Sequence, residues 1–190
     1  LGLVASLQGS HAEARAFYEQ ALALHREIGN LVGVATALGN LGGVAWEQGE
    51  YATARAYYEE ELAIRRQLKE PQGIASALSA LGGLAQLEGD YDRAITLFEE
   101  SLALQHKLGY KDGIAYTLSS LGSVAYDRGD YALARSRYEE SLQIRRELDD
   151  KQGVAYSLNS LGSVALRQGD LDRARALFEE SLSLFRQMEV

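Results

Sequence analysis

The sequence predicts an all-α fold, an α-solenoid of antiparallel helix pairs, and three observations carry that expectation. A Leu-Gly pair recurs at Leu1-Gly2, Leu41-Gly42, Leu81-Gly82, Leu121-Gly122 and Leu161-Gly162, a period of 40 residues without a slip. Self-similarity at a fixed period in this range is the mark of a stacked repeat array. Within each period, apolar and small residues recur at helical spacing, and no strand signal interrupts them.

The elements follow in order. A truncated helix at 1–8 is expected first. The capping box Ser10-x-x-Glu13 then opens a helix at 11–28, which stops at Gly29. The helix at 31–48 places Val34, Leu38, Leu41, Gly42 and Ala45 on one face and ends at Gly49. Glu50 precedes the helix at 51–68, where a carboxylate meets free amides and the positive end of the helix dipole. That helix buries Ala54, Tyr58, Leu62 and Leu68. Pro71, the only proline, sits at the first position of the helix at 71–88, which tolerates it. Asp90 opens 91–108, which stops at Gly109. Helices at 111–128 and 151–168 follow, and Asp130 and Asp170 open those at 131–148 and 171–188. Each helix of about 18 residues is about 27 Å long. The chain therefore divides into units at 1–30, 31–70, 71–110, 111–150 and 151–190 of a single array. It begins at Leu1, in mid-repeat, and is expected to be a fragment of a larger protein.

Composition narrows the function. The net charge of -8 argues against nucleic acid or an anionic membrane as partner, since both call for a basic footprint. No apolar run approaches the roughly 18–20 residues that cross a bilayer, and no signal peptide opens the chain. The absence of cysteine excludes disulfides and thiolate metal sites and suits a cytoplasmic location. No catalytic constellation is present. His11, His25 and His106 occupy unrelated places in their units and read as surface or helix-flank residues. The acidic runs Glu59-Glu60-Glu61, Glu99-Glu100, Glu139-Glu140 and Glu179-Glu180 recur from unit to unit, so they read as a solvated face interleaved with arginines. The glycines punctuate helices rather than form a phosphate loop. No enzyme, no cofactor and no metal is expected.

Leu38, Leu41-Gly42, Ala45, Ala54, Tyr58 and Leu62, with Leu78, Leu81-Gly82, Ala85, Ala94, Phe98 and Ser101, and on to Ala174, Phe178 and Ser181, form a pattern that resembles the tetratricopeptide repeat. That family's usual period is about 34 residues. The longer period here is similar to the 40-residue variant of Pins/LGN-type adaptors and of bacterial multidomain regulators. The resemblance implies a right-handed superhelix with the first helix of each unit on the concave side. The Gly after Leu and the Ala of the second helix let backbones approach, and the aromatic ring fills the gap to the neighbouring unit. One position departs from the pattern. The small residue before Leu62, which is Ala21, Ser101, Ser141 and Ser181 elsewhere, is Glu61. It reads as a partly exposed carboxylate paired with Arg65, with a carboxylate aimed at a ligand as the alternative.

The resemblance also implies where a partner sits. The inward positions are Thr36, Gly39, Gly43, Trp46 and Glu47, then Ser76, Ser79, Gly83, Gln86 and Leu87. They continue as Tyr116, Ser119, Ser123, Tyr126 and Asp127, then Tyr156, Asn159, Ser163, Leu166 and Arg167. They vary between units while the packing positions do not. From them Trp46, Glu47, Gln86, Tyr116, Tyr126, Asp127, Tyr156, Asn159 and Arg167 form the candidate partner-binding groove, since Trp and Tyr dominate binding energy at interfaces. The alternative is that Tyr116 and Tyr156 cover the joint between units. Beyond Arg167 these faces carry almost no positive charge, unlike family members that clamp a C-terminal carboxylate with Lys, Arg and Asn, and Gly43, Gly83, Ser123 and Ser163 stand where the polarity adaptors carry Asn. The expected function is protein–protein interaction, with a peptide or helical segment held in the groove of a signalling or regulatory protein. The alternative is a structural spacer or self-assembling scaffold stacking end to end. For that reading the helix at 171–188 supplies Leu171, Leu177, Phe178, Leu182, Leu184, Phe185 and Met188, with Phe185 replacing the arginine of two other units.

Overall fold

The structure, a computed structural model, describes residues 11–188. The expected helix at 1–8 and the cap at Ser10 lie outside the described residues. The helices are α1 His11–Glu27, α2 Leu31–Glu47, α3 Tyr51–Leu68, α4 Pro71–Leu87, α5 Tyr91–Leu108, α6 Lys111–Asp127, α7 Tyr131–Glu147, α8 Lys151–Arg167 and α9 Leu171–Met188. No boundary departs from expectation by more than one residue, and the described residues contain no strand. The chain divides into two compact units, residues 1–88 and 89–190. Helices α1 to α4 belong to the first and α5 to α9 to the second.

One turn design explains the sharp boundaries. At the end of α2, Gly49 adopts φ 75° and its N–H donates to the Trp46 carbonyl, while Glu50 N–H donates to that of Ala45. This is the paired bonding of a left-handed helix stop, and it recurs at Gly129-Asp130 after α6. Two helices make the same stop without glycine. Lys69 and Asp149 take φ 55° and 53° where Gly29 and Gly109 stand in the other units. A residue with a Cβ pays about 1–2 kcal/mol for that conformation.

At five of the eight connections the residue after the stop caps the next helix. Asp90, Asp130 and Asp170 accept from the N–H groups of Arg93, Leu133 and Arg173 at 3.2, 3.0 and 3.1 Å, as expected. Asn30 and Asp150 do the same for Gly33 and Gly153. Glu50 does not cap α3; its carboxylate accepts from Arg15 at 2.7 Å instead. The extra methylene of glutamate carries the oxygens past the amides that aspartate reaches.

The expected faces are buried. Leu38, Leu41 and Ala45 of α2 are at most 1% exposed, and Ala54, Tyr58 and Leu62 of α3 are buried with them. Leu68, expected in the core, is only half-buried as the last residue of α3. The α2 helix also buries Ala35, Ala37 and Val44, because it packs against α1 on one side and α3 on the other. In three helix pairs an aromatic ring lies across the glycine of its own pair, Tyr58 on Gly42, Tyr138 on Gly122 and Phe178 on Gly162. The ring also reaches the next unit, as expected: Tyr138 shares a cluster with Val154, Leu158 and Leu161 of α8. Its hydroxyl hydrogen-bonds Ser123 of its own pair and Ser160 of α8. Burial of that phenol raises its pKa above the ordinary value.

The small residue of the second helix has a role beyond size. Ser141 donates to the Ala115 carbonyl at 2.7 Å and Ser181 to that of Ala155 at 2.8 Å, tying α7 to α6 and α9 to α8. Apart from Glu61 and Glu99, described below, the acidic runs lie on an outer face that carries salt bridges, as expected. Arg26 meets Glu60, and Arg146 and Arg173 meet Glu180 and Glu139.

Candidate functional site

Helices α2, α4, α6 and α8 present the variable positions. In the first unit, Trp46 on the last turn of α2 is half-buried, edge-on to Tyr51 with ring centroids 6.1 Å apart. Its far edge lies over Gly83 of α4, where a Cβ would stand 2.8 Å from the indole. Trp46 is thus a wedge between two helices as well as a surface aromatic. Glu47 beside it is exposed, with an oxygen 3.1 Å from His11 Nδ1. Gln86, at the place of Trp46 on α4, is half-buried.

In the second unit the two most exposed aromatics are on α6 and α8. Tyr116 and Tyr156 occupy the same turn of the two helices, and each is 56% exposed. Tyr156 stands edge-on to Phe185 at 5.2 Å, so Phe185 is half-buried and the end face of α9 is less bare than expected. Leu171 and Leu182 remain exposed on that helix. Tyr126 is half-buried against Tyr131 at 5.5 Å. Its hydroxyl accepts from Arg167 Nε at 2.9 Å, joining α6 to α8, and the guanidinium carbon lies 5.8 Å from the ring centroid. This phenol holds the Arg167 pKa above its ordinary value. Asp127, at the end of α6, and Asn159, in the middle of α8, are exposed. Between the aromatics the surface is small and polar. Ser119 shares a hydrogen bond with Ser141 at 2.8 Å, and Ser163 donates to the Asn159 carbonyl.

The structure corrects the reading of Glu61. It is not partly exposed but buried, 7% accessible, and it lies over Gly39, whose missing Cβ leaves room for the carboxylate. Arg65 lies 3.4 Å from it and donates also to Glu70 at 2.6 Å and to Thr36 at 3.2 Å. Burial pushes the Glu61 carboxyl above the usual carboxylate range, and Arg65 draws it partly back. An acid with a raised folded pKa stabilises the fold when protonated. That contribution is full below the ordinary carboxylate value and is lost as pH rises through the raised one. Glu61→Gln is therefore expected to melt higher than the parent at neutral pH, since Arg65 keeps Glu70. The gap should close as the pH falls below the usual carboxylate range. Thermal melts over that range check this; a Gln variant less stable at neutral pH would show that the pair with Arg65 outweighs the burial. The signal for this cluster was a double departure from the repeat, Gly39 with Glu61 where the other units carry Ser or Asn with Ser.

Among the described residues no three His, Asp or Glu side chains converge as a metal site requires, and no helix is long and apolar enough to cross a membrane.

A family model described as tetratricopeptide repeat matches residues 1–67, 73–147 and 113–187. No curated protein matches the chain. Among solved structures, BtubC (BKLC) from P. vanneervenii is 21% identical, with TM-score 0.85 over 100% of this chain and 78% of that one. A Rap protein complexed with competence and sporulation factor is 17% identical, with TM-score 0.89 over 99% of this chain and 53% of that one. The Rap conjugation gene regulator of plasmid pLS20, in complex with the Phr* peptide, is 19% identical, with TM-score 0.84 over 99% of this chain and 52% of that one. This chain thus spans about half the length of these two Rap proteins.

Proposed function

The chain belongs to the tetratricopeptide repeat family, and on that premise we propose that it is a protein-interaction module of a signalling or regulatory protein, holding a peptide or helical segment against α6 and α8. The observation that carries this is the pair Tyr116 and Tyr156, equally exposed on matching turns of two helices whose packing residues are otherwise alike. A repeat that served packing alone has no use for two large aromatics standing in water. Small side chains between them let an extended backbone approach, and the Tyr126–Arg167 pair offers a cation beside an aromatic at the end of the same helices. The Rap structures solved with bound factors support the reading by analogy of fold.

Selection from a peptide display library on the intact chain tests it. The expected result is an enriched motif whose affinity falls about tenfold or more in Tyr116→Ala/Tyr156→Ala, as the loss of interface anchors does. The melting temperature should fall only slightly, because both rings are more than half exposed and only Tyr156 gives up a ring contact, to Phe185. No enriched motif, or equal binding by the double variant, would overturn the assignment. The scaffold alternative rests on the exposed Leu171 and Leu182 of α9. Sedimentation of the parent and of Leu171→Ser/Leu182→Ser addresses it, and a parent that stays monomeric at high concentration would remove it.

A further inference from the structure

Between the second helices of successive pairs the repeat lays down one kind of seam. In the first unit, Arg15 of α1 donates to Gln48 and Glu50 at 2.5 and 2.7 Å, and Tyr57 of α3 packs on the apolar cluster below. Between α7 and α9, Arg173 reaches Glu139 at 3.0 Å and Leu177 packs on the cluster. Between α5 and α7 the seam is rewritten at four places. Ile95 stands where the other units carry Arg15, Arg55, Arg135 and Arg175. Leu133 stands where two of them carry Arg93 and Arg173. Arg137 replaces the apolar series Phe17, Tyr57, Leu97 and Leu177, and Arg128 replaces Gln48, Glu88 and Gln168. All four line one cavity of about 430 Å³, together with Leu121 and Ala125 of α6.

The rewriting leaves two opposite charges uncommitted beside an apolar floor. Of the other charged groups there, Arg128 donates to Asp92 at 2.8 Å, and Asp130 caps α7 at Leu133. Glu99 is the counterpart of Glu139, but Leu133 occupies the place of its arginine, and among the described residues it has no cationic partner. Arg137 has only a long contact to Glu140 of its own helix, at 3.4 Å. A simple anion would meet Glu99 and Asp130, and a simple cation would meet Arg128 and Arg137, so both are disfavoured. A complementary ligand carries both signs on a small apolar body.

We propose that this cavity binds a free α-amino acid with a large apolar side chain. The carboxylate pairs with Arg137, the ammonium with Glu99, and the side chain rests on Ile95, Leu121, Ala125 and Leu133. The site lies apart from the tyrosine pair and does not depend on it.

Titration of the intact chain with L-phenylalanine, followed by calorimetry and by methyl shifts of Ile95 and Leu133, tests the proposal. Saturable binding is expected. 3-Phenylpropionate and phenethylamine, which each lack one charge, should bind about tenfold or more weakly, the loss of one charge-assisted hydrogen bond. Arg137→Leu and Leu133→Arg each install the residue that another unit carries at that place, so the fold is retained while binding is abolished. Tyr116→Ala/Tyr156→Ala should bind L-phenylalanine as the parent does. Absence of saturable binding in the millimolar range, equal binding of the two analogues, or undiminished binding by folded Arg137→Leu would each overturn the assignment.

Discussion

Leu158→Ala is expected to lower stability by about 2–5 kcal/mol, the range for truncating a fully buried leucine. Leu158 is 1% exposed and lies in the cluster with Tyr138, Leu142, Leu161 and Val164. Its helix, α8, packs against α7 on one side and α9 on the other. The walls of the vacated space have little freedom to close in. Gly162, one turn along, is already against the Phe178 ring, where even a Cβ would come within 2.6 Å of an aromatic carbon. The cost therefore includes an unfilled cavity as well as lost apolar burial. Glu139→Ala, on the same unit, should cost within about 0.5 kcal/mol, because exposed ion pairs contribute little. Its pair with Arg173 is 3.0 Å long, but both side chains are more than two-fifths exposed. Urea melts of the two variants decide the matter. A shared midpoint would mean that Leu158 is not in the core.

Local chemistry made the helices legible. Gly49, Gly29 and Gly109 stop helices because their left-handed backbone suits glycine, and Asp90, Asp130 and Asp170 start them because a short carboxylate reaches the third amide. Both signals are confined to a few residues, so a single sequence carries them in full. What escaped depends on distances between helices. Glu50 looked like a cap until Arg15, 35 residues earlier, was placed against it. Ala35, Ala37 and Val44 sit off the main apolar face of α2, and only the two-sided packing of a first helix makes them core. Lys69 and Asp149 hold a conformation that their residue types do not advertise.

The candidate site was legible to the same degree. Variation at fixed places in the repeat marked Tyr116 and Tyr156, and their side chains are exposed. The same rule marked Trp46 without showing that its indole is wedged over Gly83, a contact that spans 37 residues and appears only when two units are read together. The contact between Tyr126 and Arg167 likewise spans 41 residues. The burial of Glu61 was hidden because its companion change, Gly39, is a missing side chain on another helix. Departures from a repeat are most informative when two or more of them fall on facing helices, which the cavity between α5 and α7 shows again.

Gly42→Ala is expected to destabilise the first unit by about 1–3 kcal/mol, the usual cost of overpacking a filled site, whereas Gly43→Ala, one residue on, is expected to stabilise it by up to about 1 kcal/mol through helix propensity. Both glycines lie in the interior of α2, so the backbone gain is common to both. The difference is what the new methyl meets. At Gly42 it would stand 2.5 Å from Tyr58 Cε1 and 2.8 Å from two further ring carbons. The ring is 9% exposed and is joined to the rigid middle of α3, so it cannot swing aside without separating the two helices. At Gly43 the nearest atom is the Tyr58 hydroxyl oxygen at 3.9 Å, an ordinary contact. Combining Gly42→Ala with Tyr58→Leu should recover part of the loss, because the clash requires the ring, and a double-mutant cycle reads that coupling directly. If Gly42→Ala and Gly43→Ala melt alike, or if Tyr58→Leu worsens Gly42→Ala additively, then the close approach of α3 to α2 at Gly42 is not what holds this pair together.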